Sequence, residues 1–149
     1  SDPQAKQNLL DALNQGKKLV NYTGHGSVDI WEANLLTDGD AATLVNAQQL
    51  SVVVAMTCLN GYFIDERIES LAHALLNAPN GGAVAMWSSS GLTLPDAQAA
   101  ADFELFRQLF AGASIRLGDA TIRAKTAISD VDVRRTWILI GDPTTRFRQ

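Results

Sequence analysis

Two apolar runs limit what this chain can fold into. Ser51-Val52-Val53-Val54-Ala55-Met56 and Gly82-Ala83-Val84-Ala85-Met86-Trp87 do not alternate with polar residues. A strand with one face in water alternates; a strand that is apolar throughout must be covered on both faces. Such runs belong to a parallel sheet enclosed between helices. Two more short strands are expected at Leu19-Val20-Asn21-Tyr22 and Thr136-Trp137-Ile138-Leu139-Ile140. Segments with helical spacing separate them. Asp2-Pro3 reads as an N-cap followed by proline at the first helical position, and Leu9, Leu10 and Leu13 lead to Gly16 as the stop. A short helix is expected from Thr37 or Asp38, carrying Leu44 and Val45. Longer ones are expected over about Glu66–Asn77, with Ile68, Leu71, Leu75 and Leu76 on one side, over Pro95 to about Ala111, and over Leu117–Ile128. Alternating strands and helices give an α/β fold, a three-layer α-β-α sandwich with a mainly parallel sheet.

The composition is compatible with that fold and removes several functions. The 149 residues are one domain's worth, and 46% hydrophobic with 19% charged is enough to build a core and exclude general disorder. A net charge of −4 argues against gripping nucleic acid through a broad basic surface. No apolar run approaches the roughly 20 residues of a membrane span. One cysteine permits no internal disulfide. Cys58 and the two histidines have no metal-ligand spacing, so neither a metal nor a cofactor is expected. The start, Ser1-Asp2-Pro3-Gln4, lacks Met and has none of the order of a secretory leader. Chains of this class rarely open with a helix feeding a central strand, so a further strand upstream is expected.

In open parallel sheets, reactive groups gather beyond the carboxyl ends of the strands. The first strand runs into Thr23-Gly24-His25-Gly26-Ser27 and the second into Thr57-Cys58-Leu59-Asn60-Gly61. His25 and Cys58 stand 33 residues apart, one crossover, so adjacent parallel strands bring both to one rim. A thiol beside an imidazole is the minimum for a cysteine nucleophile. Gly26 permits close backbone approach, and its N–H with that of Cys58 suits a developing oxyanion. Asn60-Gly61 reads as a sharp turn. Blander readings stand beside these: Cys58 as a small core hydrophobe, His25 as a loop residue, His73 as structural within its helix. Ser88-Ser89-Ser90-Gly91, a loop by pattern, is either merely polar or, with Trp87, a wall of the substrate pocket. Trp31 is a core plug or a pocket wall. Asp29 and Glu32 read as solvated loop charges, with orientation of His25 or attraction of a basic substrate as the alternative. Gly141-Asp142-Pro143 reads as a turn, Asp142 bonding local backbone.

These motifs resemble the gingipain family of cysteine peptidases, which shares the caspase-like fold with caspases and legumain. The resemblance rests on Tyr22-Thr23-Gly24-His25-Gly26-Ser27 and Thr57-Cys58-Leu59-Asn60-Gly61. It extends to Trp31, Leu71-Ala72-His73-Ala74-Leu75-Leu76, Gly82-Ala83-Val84-Ala85 and Ile138-Leu139-Ile140-Gly141-Asp142-Pro143. It implies a cysteine endopeptidase acting on a protein or peptide substrate, with Cys58 as nucleophile, His25 as general acid/base, and the Gly26 and Cys58 amides as oxyanion hole. Trp31, Trp87, Ser88 and Ser89 are the expected pocket residues. It further implies that residues 1–149 are the C-terminal part of a larger catalytic domain. The upstream part of the same chain would then be a partner, supplying the acidic specificity residue and the carboxylate that orients the histidine. An extracellular or cell-envelope location follows from the resemblance alone. The alternative is a non-catalytic binding or structural module of a larger surface or secreted protein.

Overall fold

In the computed structural model, which describes residues 2–112 and 114–148, the two apolar runs are the middle strands of the sheet. The elements in chain order are α1 (Pro3–Asn14), β1 (Leu19–Thr23), α2 (Asp38–Ala41), β2 (Ser51–Met56), α3 (Leu71–Leu76), β3 (Ala83–Ser89), α4 (Pro95–Leu109), β4 (Ile115–Arg116), α5 (Leu117–Lys125), α6 (Val131–Thr136), β5 (Trp137–Gly141) and β6 (Arg146–Phe147). The main sheet has the order β1-β2-β3-β5. β1, β2 and β3 are parallel neighbours, and β5 is antiparallel to β3. The chain leaves β3 at the rim and re-enters from the same rim, because Ser89 pairs with Trp137. α4, α5 and α6 intervene, and together they return the chain to the end it left. β4 and β6 form a separate two-residue antiparallel ladder that no periodicity announces.

Every residue of β2 is buried, as its unbroken apolar pattern requires. Its side chains alternate between two cores. Val52, Val54 and Met56 join Ala101, Leu105 and Leu109 of α4 and Leu117, Ala120 and Ala124 of α5. Val53 and Ala55 face the other way, toward Leu13 of α1, Ala41 of α2 and Leu71, Ala72 and Leu75 of α3. This is the expected three-layer sandwich. At its lower end Gly82 turns into β3 with φ +96°, and a Cβ there would collide with the Leu75 carbonyl oxygen.

Several boundaries differ from expectation. α1 follows its caps: Asp2 accepts the Gln4 and Ala5 amides, and Gly16, at φ +76°, follows the C-cap. The helix expected from Glu66 begins only at Leu71. Asp65 Oδ1 accepts the N–H groups of Arg67 and Ile68, at 2.8 and 3.0 Å, which draws that stretch into a local turn, and Ser70 caps the true start. α2 is a single turn closed by the Thr37–Asp40 capping box; Leu44, buried, and Val45, exposed, lie beyond it. β3 runs two residues further than Trp87, so Ser88 and Ser89 belong to the strand rather than to a loop. α6, capped by Asp130, was not expected.

Leu105 is 1% exposed and packs between β2 and α5. Leu105→Ala is expected to cost about 2–5 kcal/mol, read by chemical denaturation of the full-length protein. Asp102 gives a pH-dependent prediction. Its Oδ2 accepts Asn21 Nδ2 at 3.0 Å, while Oδ1 is buried with no hydrogen-bond partner among the described residues. Burial raises the carboxyl above the usual carboxylate range, against the opposing Asn21 hydrogen bond. A raised folded pKa makes the folded state hold the proton longer than the unfolded chain does. Stability is therefore lost as pH rises through the carboxylate range, and the penalty is absent below it. Asp102→Asn should raise the melting temperature by about 2 °C near neutral pH. That gain should vanish at about pH 3.

Candidate active site

β1 and β2 pair with Thr23 opposite Met56. His25 and Cys58 each lie two residues past that pair, so they leave the sheet at the same level of the same rim. Both line one cavity of ≈ 190 Å³, together with Thr23, Gly24, Thr93, Pro95 and Gln98. His25 is exposed and Cys58 half-buried. The sulfur accepts the Thr93 N–H at 3.4 Å and lies 3.8 Å from the Thr93 carbonyl oxygen and hydroxyl. Gln98 Nε2 donates to Thr93 Oγ1 at 2.5 Å, so the first turn of α4 holds the segment that touches the sulfur.

The chain leaves β2 through a tight turn. Asn60 N–H donates to Cys58 O at 2.9 Å across Leu59, whose φ is +64°. A leucine in this region is strained by roughly 1–3 kcal/mol, a cost its surroundings must offset. Leu59 N–H is bonded to Gly91 O and Gly61 N–H to Ser89 O, which ties the turn to the end of β3. The loop after β1 is held just as closely. His25 O accepts the Tyr22 hydroxyl at 2.8 Å and the Glu32 amide at 2.9 Å. Ser27 N–H reaches Ile30 O, and the Leu71 amide at the start of α3 reaches Val28 O.

Gly26 sits where the two loops press together. A Cβ on it would collide with the Thr57 hydroxyl and stand 3.0 Å from Ile30 O. Among the described residues, neither the Gly26 nor the Cys58 N–H donates a hydrogen bond.

The expected pocket walls lie elsewhere. Trp31 is 1% exposed; its ring stacks on Tyr22 with centroids 4.1 Å apart, and its Nε1 donates to Asn60 Oδ1 at 2.9 Å. It is the core plug. Trp87 points into the α4–α5 core against Trp137, with centroids 4.9 Å apart. Ser88 and Ser89 are fully buried, and Ser89 Oγ shares a 2.7 Å hydrogen bond with Thr136 Oγ1. None of these four lines the cavity beside His25 and Cys58. The wall is instead Thr93, Pro95 and Gln98, just downstream. Extension of β3 by two residues moves the loop along the chain, and Pro95 at the start of α4 was the available signal. His73 is half-buried on α3, its ring centroid 6.4 Å from that of Phe63, and it does not line the cavity. Asp142 accepts the Thr144 amide and hydroxyl, both at 2.8 Å, as a turn residue; these bonds hold its carboxyl below the usual range. Asp29 accepts the Asp38 amide through its main chain. Among the described residues, no group of three His, Cys, Asp or Glu is placed to hold a metal ion.

Comparison with known proteins gives three results. The family model of peptidase family C25 matches residues 1–148. Over 76 residues, 51% of this chain, the sequence is 37% identical to gingipain R2 of Porphyromonas gingivalis, covering 10% of that protein. A stretch of 76 residues is also 37% identical to gingipain R1 of Porphyromonas gingivalis, covering 8% of it. The matched stretch is thus about a tenth of these relatives' length. Among solved structures, the chain is similar to the Arg-specific cysteine proteinase gingipain R, with a TM-score of 0.89 and 27% identity over 96% of this chain and 36% of that one. A complex of the pro- and mature domains of RgpB from Porphyromonas gingivalis matches with a TM-score of 0.84 and 25% identity, over 96% of this chain and 37% of that one. The sandwich described above is therefore the caspase-like fold.

The crowding around Gly26 is directly testable. Gly26→Ala should displace Thr57 or the Ile30 carbonyl and destabilise the protein by about 1–3 kcal/mol. It should also slow alkylation of Cys58 more than a remote substitution of equal destabilisation, measured by mass spectrometry of the modified thiol.

Proposed function

The chain belongs to peptidase family C25, and on that premise we propose that it carries the reacting pair of a cysteine endopeptidase. The reading is carried by one observation: His25 and Cys58 line a single cavity, each two residues past a register pair of adjacent parallel strands. In this reading His25 takes the thiol proton and the Cys58 sulfur attacks the scissile carbonyl. The carbon–nitrogen bond then breaks as the imidazolium returns the proton to the departing amine. Water, deprotonated by His25, cleaves the thioester and restores the thiol. The Gly26 and Cys58 amides hold the developing oxyanion; neither donates elsewhere among the described residues, so both are available. The Thr93 N–H at 3.4 Å from the sulfur supports negative charge there.

The cavity wall of Thr93, Pro95 and Gln98 is the surface offered to a protein or peptide substrate beside Cys58. We assign residues 1–149 to the C-terminal part of a larger catalytic domain, with the upstream part of the same chain completing the site. Two observations support this. The chain matches about a third of the gingipain R structure. The outer edge of β1 has no strand beside it among the described residues. An own-chain partner also accords with the neighbour solved as a complex of pro- and mature domains. An extracellular or cell-envelope location rests on the family resemblance. Among the described residues, no helix is long and apolar enough to cross a membrane.

A thiol-reactive peptidyl probe tests the reading in the full-length protein near neutral pH. Cys58→Ala should abolish labelling. His25→Ala should slow it by about 10²–10⁴-fold. His73→Ala should label like the unaltered protein. Equal rates with and without His25 would show that the pair does not act together, and would favour a non-catalytic module.

A further inference from the structure

We propose that Asn60 is the positioning residue that sets the Cys58 turn against the His25 loop. The inference rests on the reading of Cys58 and His25 as a reacting pair, and goes beyond it by naming what holds the two together. Asn60 is completely buried, at 0% exposure. Its Nδ2 donates to Ser27 O at 2.5 Å and to Ile30 O at 3.4 Å, and its Oδ1 accepts Trp31 Nε1 at 2.9 Å. Its main-chain N–H donates to Cys58 O at 2.9 Å, and its carbonyl accepts the Ala72 amide at 3.1 Å. One residue, two positions from Cys58, thus bonds both sides of the loop that opens at His25. Among the described residues, every side-chain hydrogen bond between these two loops has Asn60 as one partner. Trp31 stacks on Tyr22, and the Tyr22 hydroxyl donates to His25 O, so the linkage closes on itself from Cys58 through Asn60, Trp31 and Tyr22 to His25.

The residue type fits this place. The site requires two donors and one acceptor on a short, flat side chain, which asparagine supplies. Aspartate accepts from Trp31 but donates to neither carbonyl. Serine offers a single donor for the two carbonyls. Leucine fills the volume but takes away the Asn60 partner of the buried Trp31 indole N–H and of Ser27 O, while Ile30 O keeps the Ser27 amide. β1 and β2 are joined by backbone bonds only as far as the rim, the last being Gly24 N–H to Met56 O. Beyond that point, the separation of imidazole and sulfur depends on the loops, where a misplacement of about 1 Å costs about 10²-fold in rate.

The test compares Asn60→Ser, Asn60→Asp and Trp31→Phe in the full-length protein. Peptide hydrolysis, the pH profile of Cys58 alkylation by iodoacetamide and thermal unfolding are measured for each. Asn60→Ser and Asn60→Asp should lower kcat by about 10²-fold with KM within about threefold. The imidazole-dependent limb of their alkylation profile should disappear, as in His25→Ala, at temperatures where they remain folded. Trp31→Phe keeps the ring over Tyr22 and removes one donor, so it should lower kcat by about tenfold with the same change of profile. The proposal is overturned if the folded variants keep the native profile, or lose activity only in proportion to their unfolded fraction. If the Asn60 variants do not fold, Trp31→Phe decides: an unchanged profile overturns it. Full activity in Cys58→Ala or His25→Ala would instead overturn the underlying reading, and the proposal with it.

Discussion

The two-sided burial of β2 is the constraint on which the molecule depends. Six consecutive residues without access to water demand a helical layer above and another below, and a strand on each flank to satisfy their amides and carbonyls. The helices divide accordingly, α4 and α5 on one face and α1, α2 and α3 on the other. The same burial fixes register, because a slip by one residue would exchange the two cores' side chains. Register in turn decides the level at which each strand end emerges. His25 and Cys58 are neighbours because Thr23 is opposite Met56, not through any attraction between them.

Beyond the rim, order is maintained by different means. The backbone ladder ends, and polar groups in both loops are satisfied by specific partners instead. The strained Leu59, at φ +64°, is held by amide bonds to the end of β3, and the His25 loop is held by Tyr22, Glu32 and α3. Such sites concentrate strain because the scaffold around them is over-determined. At the rim His25 is exposed and Cys58 half-buried, and both line the same cavity.

The placement of His25 and Cys58 at one rim was legible because each follows an apolar run directly, and a strand end is a defined place. The pocket around them was not. Trp31 and Trp87 are large apolar side chains that pattern alone allows either in a core or at a surface, and both were claimed by the core. Ser88 and Ser89 are small enough to pass inside a strand, where hydrogen bonds or close packing accommodate them, yet a run of serines reads as a loop. Asn60 read as a turn former. Its partners Ser27, Ile30 and Trp31 are about thirty residues away, beyond the reach of local spacing.

By itself, the sequence determined the elements whose signal is local: the apolar middle strands, the Asp2 and Gly16 caps of α1, the layers on both faces, and the strand ends that carry His25 and Cys58. Periodicity and capping act within a few residues, so a linear pattern carries them. Tertiary structure decided the rest: the direction of β5, set by three helices returning the chain to the rim; the late start of α3, set by Asp65 and Ser70; and the cavity wall at Thr93, Pro95 and Gln98. These follow from which distant groups compete for the same donors and the same volume. That competition is resolved only when the layers are packed together.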